Sequence, residues 1–512
     1  MDTEWSAGYV KDVDYTFGYY HEMNPLHVQL ALLNKGIVPP RIQTACELGF
    51  GQGLSINFHS AGMEAHWYGT DFNPSQTSFA NELANASGAN ACLSDAAFND
   101  FCTDPSLPGF DYICLHGIWS WISDENRKVI VDFARAKLNV GGVLYISYNT
   151  LPGWANFAPM RHLMTQHAEI VGSEDSGIVS RIDGAIEFAQ NLLKTKPMYS
   201  AANPQVVERM SHLKNQNRHY LAHEYFNRDW HPMYYANMVD WLESAKLSFA
   251  CSAHFMEHID SVNLIKEQAE LLATIKDPNL SQSVRDFMVN QQFRRDYWIK
   301  GKRHLTDLER VEALQQITVL LAKPRSEFKM KATGVLGEAN LAEDIYNPIL
   351  DQLESHAPKS IAQLQEALID SGMNFGQLIQ AIMVLAGDGT IVPVNDANVI
   401  EKARERTNRL NDHLIRKARS SGQINFLASP VSGTGIPLGK FQQLFIGAIK
   451  QGHSDRDQWV NSVWEVLKLQ GQSIIKDGKT LESEADNLAE LGERAKEFED
   501  NWLPVVKALG VV

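Results

Sequence analysis

An acidic residue followed by three alternating glycines, Cys46-Glu47-Leu48-Gly49-Phe50-Gly51-Gln52-Gly53, stands directly behind the apolar run 42–46. A second acid, Asp71, closes the next apolar run in Trp67-Tyr68-Gly69-Thr70-Asp71-Phe72. The two segments fit the ends of the first two strands of a parallel sheet wrapped around a nucleotide. Glycines let the backbone approach a ligand closely, and a carboxylate at the next strand tip can accept hydrogen bonds from both hydroxyls of a ribose. The implied ligand contains adenosine.

The pattern around these turns alternates short apolar runs with helical stretches, as a doubly wound sheet requires. Strands are expected at 42–47, 66–71, 89–94, 111–116 and 142–147, with helices at 54–61, 76–86 and 125–138. Two further strand-like runs, 220–226 and 247–252, flank an amphipathic helix at 233–245 and would close the same sheet. Residues 154–217 then become an insertion, with helices near 157–171 and 178–195, hanging over the carboxyl ends of the strands where open sheets bind ligands. The predicted class is α/β, a Rossmann-like seven-stranded sheet.

With 512 residues and 44% hydrophobic content, the chain exceeds what one core organises, and two to four domains are expected. Past residue 259 the periods lengthen to helical ones at 261–275 and 284–298. Residues 359–394 read helix, turn, helix, strand, a winged-helix shape whose would-be recognition helix, 375–386, carries no Lys or Arg. A net charge of −15 agrees that nucleic acid is not the partner, since binding it requires cationic surface. The final helical segment, 454–512, places Trp459, Val463, Trp464 and Leu467 on one face for core or subunit contact. No stretch of 18 apolar residues occurs and the first residues lack a signal-peptide pattern, so a cytoplasmic protein without membrane insertion is expected. Five scattered cysteines give neither a disulfide framework nor a metal site, and reduced, buried thiols are expected.

The glycine spacing differs from the GxGxxG of dinucleotide proteins. An acid two residues before the first glycine suits a cofactor with an ammonium group to hold and no phosphate to cradle. Past the fourth strand the chain offers His116, Trp119 and Trp121, and past the fifth Tyr148, Asn149 and Trp154. Aromatic faces attract an ammonium by roughly 0.5 to 2 kcal/mol each, which makes a lysine slot credible. A lysine amine must lose its proton before it can attack, at a cost of roughly 4 to 5 kcal/mol at neutral pH. Desolvation, or a base such as His116 or His223, would reduce that cost. The Asn/Asp-Pro-Pro-Tyr/Phe sequence that many amine methyltransferases carry after the fourth strand is absent.

The Glu47-x-Gly49-x-Gly51-x-Gly53 turn resembles motif I of class I S-adenosylmethionine-dependent methyltransferases. By that resemblance Glu47 positions the methionine moiety and Gly49, Gly51 and Gly53 line the cofactor. Asp71, with Phe72 beside it, would take the ribose, and Asp95 and Ala96 would sit at the adenine. The likeness extends over nearly the whole chain. It takes in Asp14-Tyr15-Thr16-Phe17-Gly18-Tyr19-Tyr20, Leu115-His116-Gly117-Ile118-Trp119-Ser120-Trp121 and Ser147-Tyr148-Asn149-Thr150-Leu151-Pro152-Gly153-Trp154. Further on, Tyr220-Leu221-Ala222-His223-Glu224-Tyr225-Phe226, Trp230-His231-Pro232-Met233-Tyr234 and Phe293-Arg294-Arg295-Asp296 continue it. These segments resemble bacterial methyltransferases that carry a methyltransferase regulatory domain, whose best-known relatives are rickettsial-type protein-lysine methyltransferases acting on outer-membrane proteins.

The resemblance implies lysine N-methylation by in-line transfer, a dimerising core and accessory domains. Tyr15, Tyr19 and Tyr20 would form a lid over the cofactor, and His223, Glu224 and Tyr225 would border the acceptor cleft. The domain plan is a lid at 1–40 and a cofactor-binding domain at 41–260 with the insertion at 155–217. A helical middle domain at 261–410, winged-helix-like over 340–395, and a helical C-terminal domain at 411–512 complete it. Two other functions remain open: a methyltransferase acting on a small molecule or cell-surface polysaccharide, and a non-catalytic cofactor-binding scaffold. No metal ligand set is expected.

Overall fold

The computed structural model describes residues 17–172, 177–214 and 216–512. Its centre is a seven-stranded sheet in the order β3-β2-β1-β4-β5-β7-β6. The strands are β1 Thr44–Leu48, β2 His66–Thr70, β3 Ala91–Ser94, β4 Phe110–Leu115, β5 Leu138–Asn149, β6 Leu247–Ser252 and β7 Phe293–Lys300. The first five run parallel, and β7 lies antiparallel between β5 and β6. Central strands carry apolar side chains on both faces, and Ala45, Cys46, Ile113, Cys114, Leu144 and Ile146 are fully buried, as helices covering both sides demand.

Local chemistry sets the strand-to-helix turns. Gly53 adopts φ +71° as the cap of the helix Leu54–Gly62. Asn73 caps the helix Pro74–Ser87 through Oδ1, which accepts from the amide of Ser75, while Pro74 occupies a first-turn position that needs no donor. Ser123 does the same for the helix Asp124–Lys137. Register aligns Leu48 with Thr70 and Thr70 with Ser94, so Glu47, Asp71 and Asp95 come out at one rim.

Two sequence expectations give way. Residues 220–226 are not a strand: Arg218–Tyr225 is a helix, because Leu221, Ala222 and Tyr225 at helical spacing pack into the insertion core with Trp154 and Phe157. Residues 284–298 are not one helix either. The helix Pro278–Val289 stops at Asn290, in the left-handed region at φ +49°, and the chain then enters β7, which supplies the seventh strand. The expected helix at 261–275 is two, Asp260–Asn263 and Lys266–Thr274.

The expected helix, turn, helix, strand of the middle region is present as Ile361–Ala367, Phe375–Gly387 and Ile391–Pro393, the last paired with Thr318–Leu321. The helix Phe375–Gly387 is buried through Leu378, Ile379 and 381–386 and packs on Phe255–His258, so its role is contact within the protein. The long helix Ala397–Ala418 lies across the helices Leu54–Gly62 and Pro74–Ser87, tying the C-terminal part to the sheet. Trp459, Val463, Trp464 and Leu467 are buried on the helix Arg456–Leu469, the core use their spacing implied. Four of the five cysteines are buried and Cys92 is exposed, all of them free thiols. Among the described residues no helix is long and apolar enough to cross a membrane.

Candidate functional site

A cavity opens at the carboxyl ends of β1, β2 and β4, lined by Glu47, Gly49, Phe50, Gly51, Gln52, Asp71, Phe72, Asn73, Gln76, Phe98 and the segment 116–118, with Trp121 and Ile122 at one end and Gly18 and Tyr20 above. Asp71 is fixed by two backbone donors: the amide of Gly51 donates to Oδ2 at 2.8 Å and that of Asn73 to Oδ1 at 3.0 Å. Each carboxylate oxygen keeps a further lone pair for the cavity. Burial lifts the Asp71 carboxyl to about 6, against the pull of those two amides, and it remains ionised at neutral pH.

Glu47 is buried, and its Oε2 finds no hydrogen-bond partner among the described residues. Burial first, and then the charge of Asp71, raise its carboxyl to about 8. A buried oxygen without a donor is costly unless a ligand supplies one, and an ammonium group fits that need. Gly51, at φ +56°, would point a Cβ into open space, so the backbone itself forms the cavity wall. The donor set, the apolar faces of Phe50, Phe98 and Ile118 and the orphaned Glu47 oxygen therefore fit S-adenosylmethionine, whose ammonium Glu47 would hold, whose ribose Asp71 would take and whose adenine the apolar side chains would cover.

The third glycine serves packing. A Cβ on Gly53 would lie 2.5 Å from the Ala80 Cβ on the neighbouring helix, at a φ that L-residues avoid. Gly53→Ala is expected to destabilise the fold by about 2 kcal/mol or more, read as a lowered midpoint in urea unfolding with the slope retained.

His116 leaves β4 at the cavity floor. Its ring stacks on Tyr20 at 3.7 Å between centroids, and its Nδ1 lies 2.7 Å from the Tyr145 hydroxyl. Burial pushes its pKa down to about 4, so the imidazole is neutral at physiological pH. Glu22 and Arg295, joined at 2.6 Å, lie within electrostatic reach of it. The Phe293 ring is its next neighbour at 6.0 Å.

The other residues singled out from sequence distribute unevenly. Tyr20 lids the cavity, whereas Tyr19 turns away to contact Phe58, Phe426 and His59, and Tyr15 lies outside the described residues. Trp121 lines the cavity, but Trp119 is fully buried with its Nε1 3.4 Å from the Met233 Sδ. Tyr148 donates to Asp296 at 2.8 Å in a buried network with Arg294, away from the cavity. Asn149 is buried at the strand end, its amide bonded to the Ser120 hydroxyl. Trp154, His223 and Glu224 belong to the insertion, where the Arg209 guanidinium covers the Trp154 ring at 3.9 Å. The protein's own Arg209 thus takes the cation–π position that the sequence suggested for an acceptor lysine. Asp95 is exposed and Ala96 half-buried, and Phe98, two residues on, is the one that lines the cavity.

Gln52, Gln76, Glu22, Tyr145 and Arg295 were not foreseen. Gln52 sits inside the glycine turn, so its position was readable; Arg295 became visible only once β7 was placed in the sheet. Among the described residues no cluster of His, Cys, Asp or Glu could hold a metal ion.

Residues 217–300, which supply β6 and β7, match the family model described as a predicted methyltransferase regulatory domain. The chain is 40% identical over 512 residues to the uncharacterized protein sll1526 of Synechocystis sp., with 99% of each chain covered. It is 27% identical over 289 residues to the uncharacterized protein RP789 of Rickettsia prowazekii, covering 55% of this chain and 51% of that one. Among solved structures, PKMT2 from Rickettsia typhi in complex with AdoHcy has a TM-score of 0.68 at 16% identity, covering 97% of this chain and 99% of that one. The sheet order, the strand-end cavity and the full-length likeness converge: the chain belongs to the family of Synechocystis sll1526, with a methyltransferase fold and a methyltransferase regulatory domain.

Proposed function

We propose that the chain is an S-adenosylmethionine-dependent protein-lysine N-methyltransferase. The observation that carries this is the position of His116 between two spaces. It floors the cofactor cavity, and its neighbour Phe293 lines a separate open cleft of about 830 Å³. An open cleft suits a side chain presented by a folded protein; a free sugar or metabolite is better held in a closed pocket. The likeness to PKMT2 supports the same acceptor class. A cytoplasmic setting and a homodimer belong to this proposal as well.

The bound cofactor supplies a methyl group made electrophilic by its sulfonium. The chain's residues do the rest through position, which accounts for most of the rate in such a displacement. Glu47 and Asp71 fix two ends of the ligand, and Tyr20 and Phe98 exclude water. His116, whose Nδ1 bonds the Tyr145 hydroxyl, is a neutral imidazole that would orient the acceptor amine by a hydrogen bond; with its pKa pushed down to about 4 it is too weak a base for an ammonium, whose proton passes to solvent before transfer.

Incubation with radiolabelled S-adenosylmethionine and a lysate resolved into protein, lipid and small-molecule fractions tests the proposal. Label in protein, on lysine by mass spectrometry, is the expected result; label confined to glycan or small molecules rejects it.

A further inference from the structure

Most charged side chains around the open cleft neutralise one another. Arg285 pairs with Asp260 at 2.6 Å, Arg294 with Asp286 at 2.6 Å and Asp296 at 2.8 Å, and Arg295 with Glu22 at 2.6 Å. Among the described residues two charged lining groups are left over, Glu257 and Lys35. Lys35 lies near Asp260, Arg285 and Cys251. Glu257 makes no ion pair within 4 Å among the described residues. Its Oε1 accepts from the side-chain amide of Gln291 at 3.0 Å, and that same amide donates to the backbone oxygen of Phe293 at 2.7 Å.

Those bonds tie Glu257 to the backbone of Phe293, whose ring lies 6.0 Å from that of His116 between centroids. Glu257 also lies within electrostatic range of Arg295 and of His254, whose backbone oxygen accepts from the Glu257 amide. The half-buried carboxylate thus shares the cleft wall with Phe293, whose ring neighbours that of His116.

From this arrangement, and resting on the lysine-methylation proposal above, we propose that Glu257 is the acceptor-selecting group. It receives the ammonium of a lysine side chain carried by a protein seated in the cleft, and hands it past Phe293 to His116. A carboxylate used this way acts on acceptor binding and leaves the cofactor cavity untouched. An anionic or uncharged acceptor has no use for it.

The test uses the full chain with radiolabelled S-adenosylmethionine, a dilution series of lysate protein as acceptor and poly-L-lysine as competitor. Glu257→Gln keeps the shape and the bond to Gln291. It is expected to raise the half-saturating acceptor concentration about tenfold, the usual scale for one charged hydrogen bond, with plateau rate within about twofold. Cofactor affinity by calorimetry stays unchanged, Glu257→Asp recovers part of the loss, and poly-L-lysine competes less against Glu257→Gln. If the parent protein labels lysine and Glu257→Gln saturates like it, the assignment of Glu257 fails alone. A lost plateau with intact acceptor saturation also overturns it, since that marks a structural role. Label entering only the non-protein fractions removes the lysine proposal and this one together.

Discussion

Asp71→Ala is expected to weaken binding of S-adenosylhomocysteine by about 100-fold or more, measured by calorimetry. Two ribose hydroxyls bonded to an ionised, pre-positioned carboxylate are worth roughly 1.5 to 3 kcal/mol each, and the alanine removes both. The carboxylate is held rigidly by the amides of Gly51 and Asn73, so no ordering cost offsets this gain in the parent protein. The same amides give the variant a structural consequence. The Gly51 turn loses its anchor, and a modest fall in melting temperature accompanies the loss of affinity. Asp71→Asn separates the two effects. It keeps an acceptor for one amide and one hydroxyl, and its affinity should fall only about tenfold. Affinity equal to the parent in Asp71→Ala, with the protein folded, would remove the ribose from this rim.

How much of this site could be read in advance follows from the range of the interactions that build it. Glu47, Gly51 and Asp71 were legible because strand, glycine turn and strand tip are local features, each set by a few adjacent residues. Tyr148 was misplaced by a rule just as local. Side chains alternate along a strand, and β5 sends Tyr145 and Ser147 to the side of His116 and Gly117. Tyr148 therefore points to the opposite face, where Asp296 waits. The short helical turn Trp119–Trp121 divides its two tryptophans in the same fashion, one to the core and one to the cavity.

The seventh strand was beyond local reading. Arg294 and Asp296 look like the solvent face of a helix in sequence, and only the pairing of β7 with β5 and β6, with buried Asp286 and half-buried Gln282 to hold the Arg294 guanidinium, makes them strand residues. Through β7 that pairing also delivers Arg295 and Phe293 to the site. The missed strand and the missed residues beside His116 thus have one cause, the pairing of β7 with the distant β5, which leaves no local signature.

Cofactor affinity is expected to fall as pH drops below about 8, by about tenfold per unit, and so by about 100-fold between pH 8 and pH 6. The ligand-free Glu47 carboxyl is raised to about 8 by burial and by Asp71, and holds its proton at neutral pH. An ammonium bound to it favours the carboxylate, so binding at pH 7 releases one proton. Calorimetry in two buffers of different ionisation enthalpy counts that proton directly. Glu47→Gln, which cannot ionise, should bind weakly and with no slope. The same shift acts on folding with a definite sign. The folded carboxyl lies above its ordinary value of 4.5, so its contribution is fully present below pH 4.5 and is lost as pH rises through about 8. The ligand-free protein should therefore lose melting temperature over that window, and saturating cofactor should recover most of the loss at its alkaline end. A flat affinity from pH 6 to 8, or no proton released at pH 7, would place the ammonium elsewhere and leave the orphaned Glu47 oxygen without a ligand.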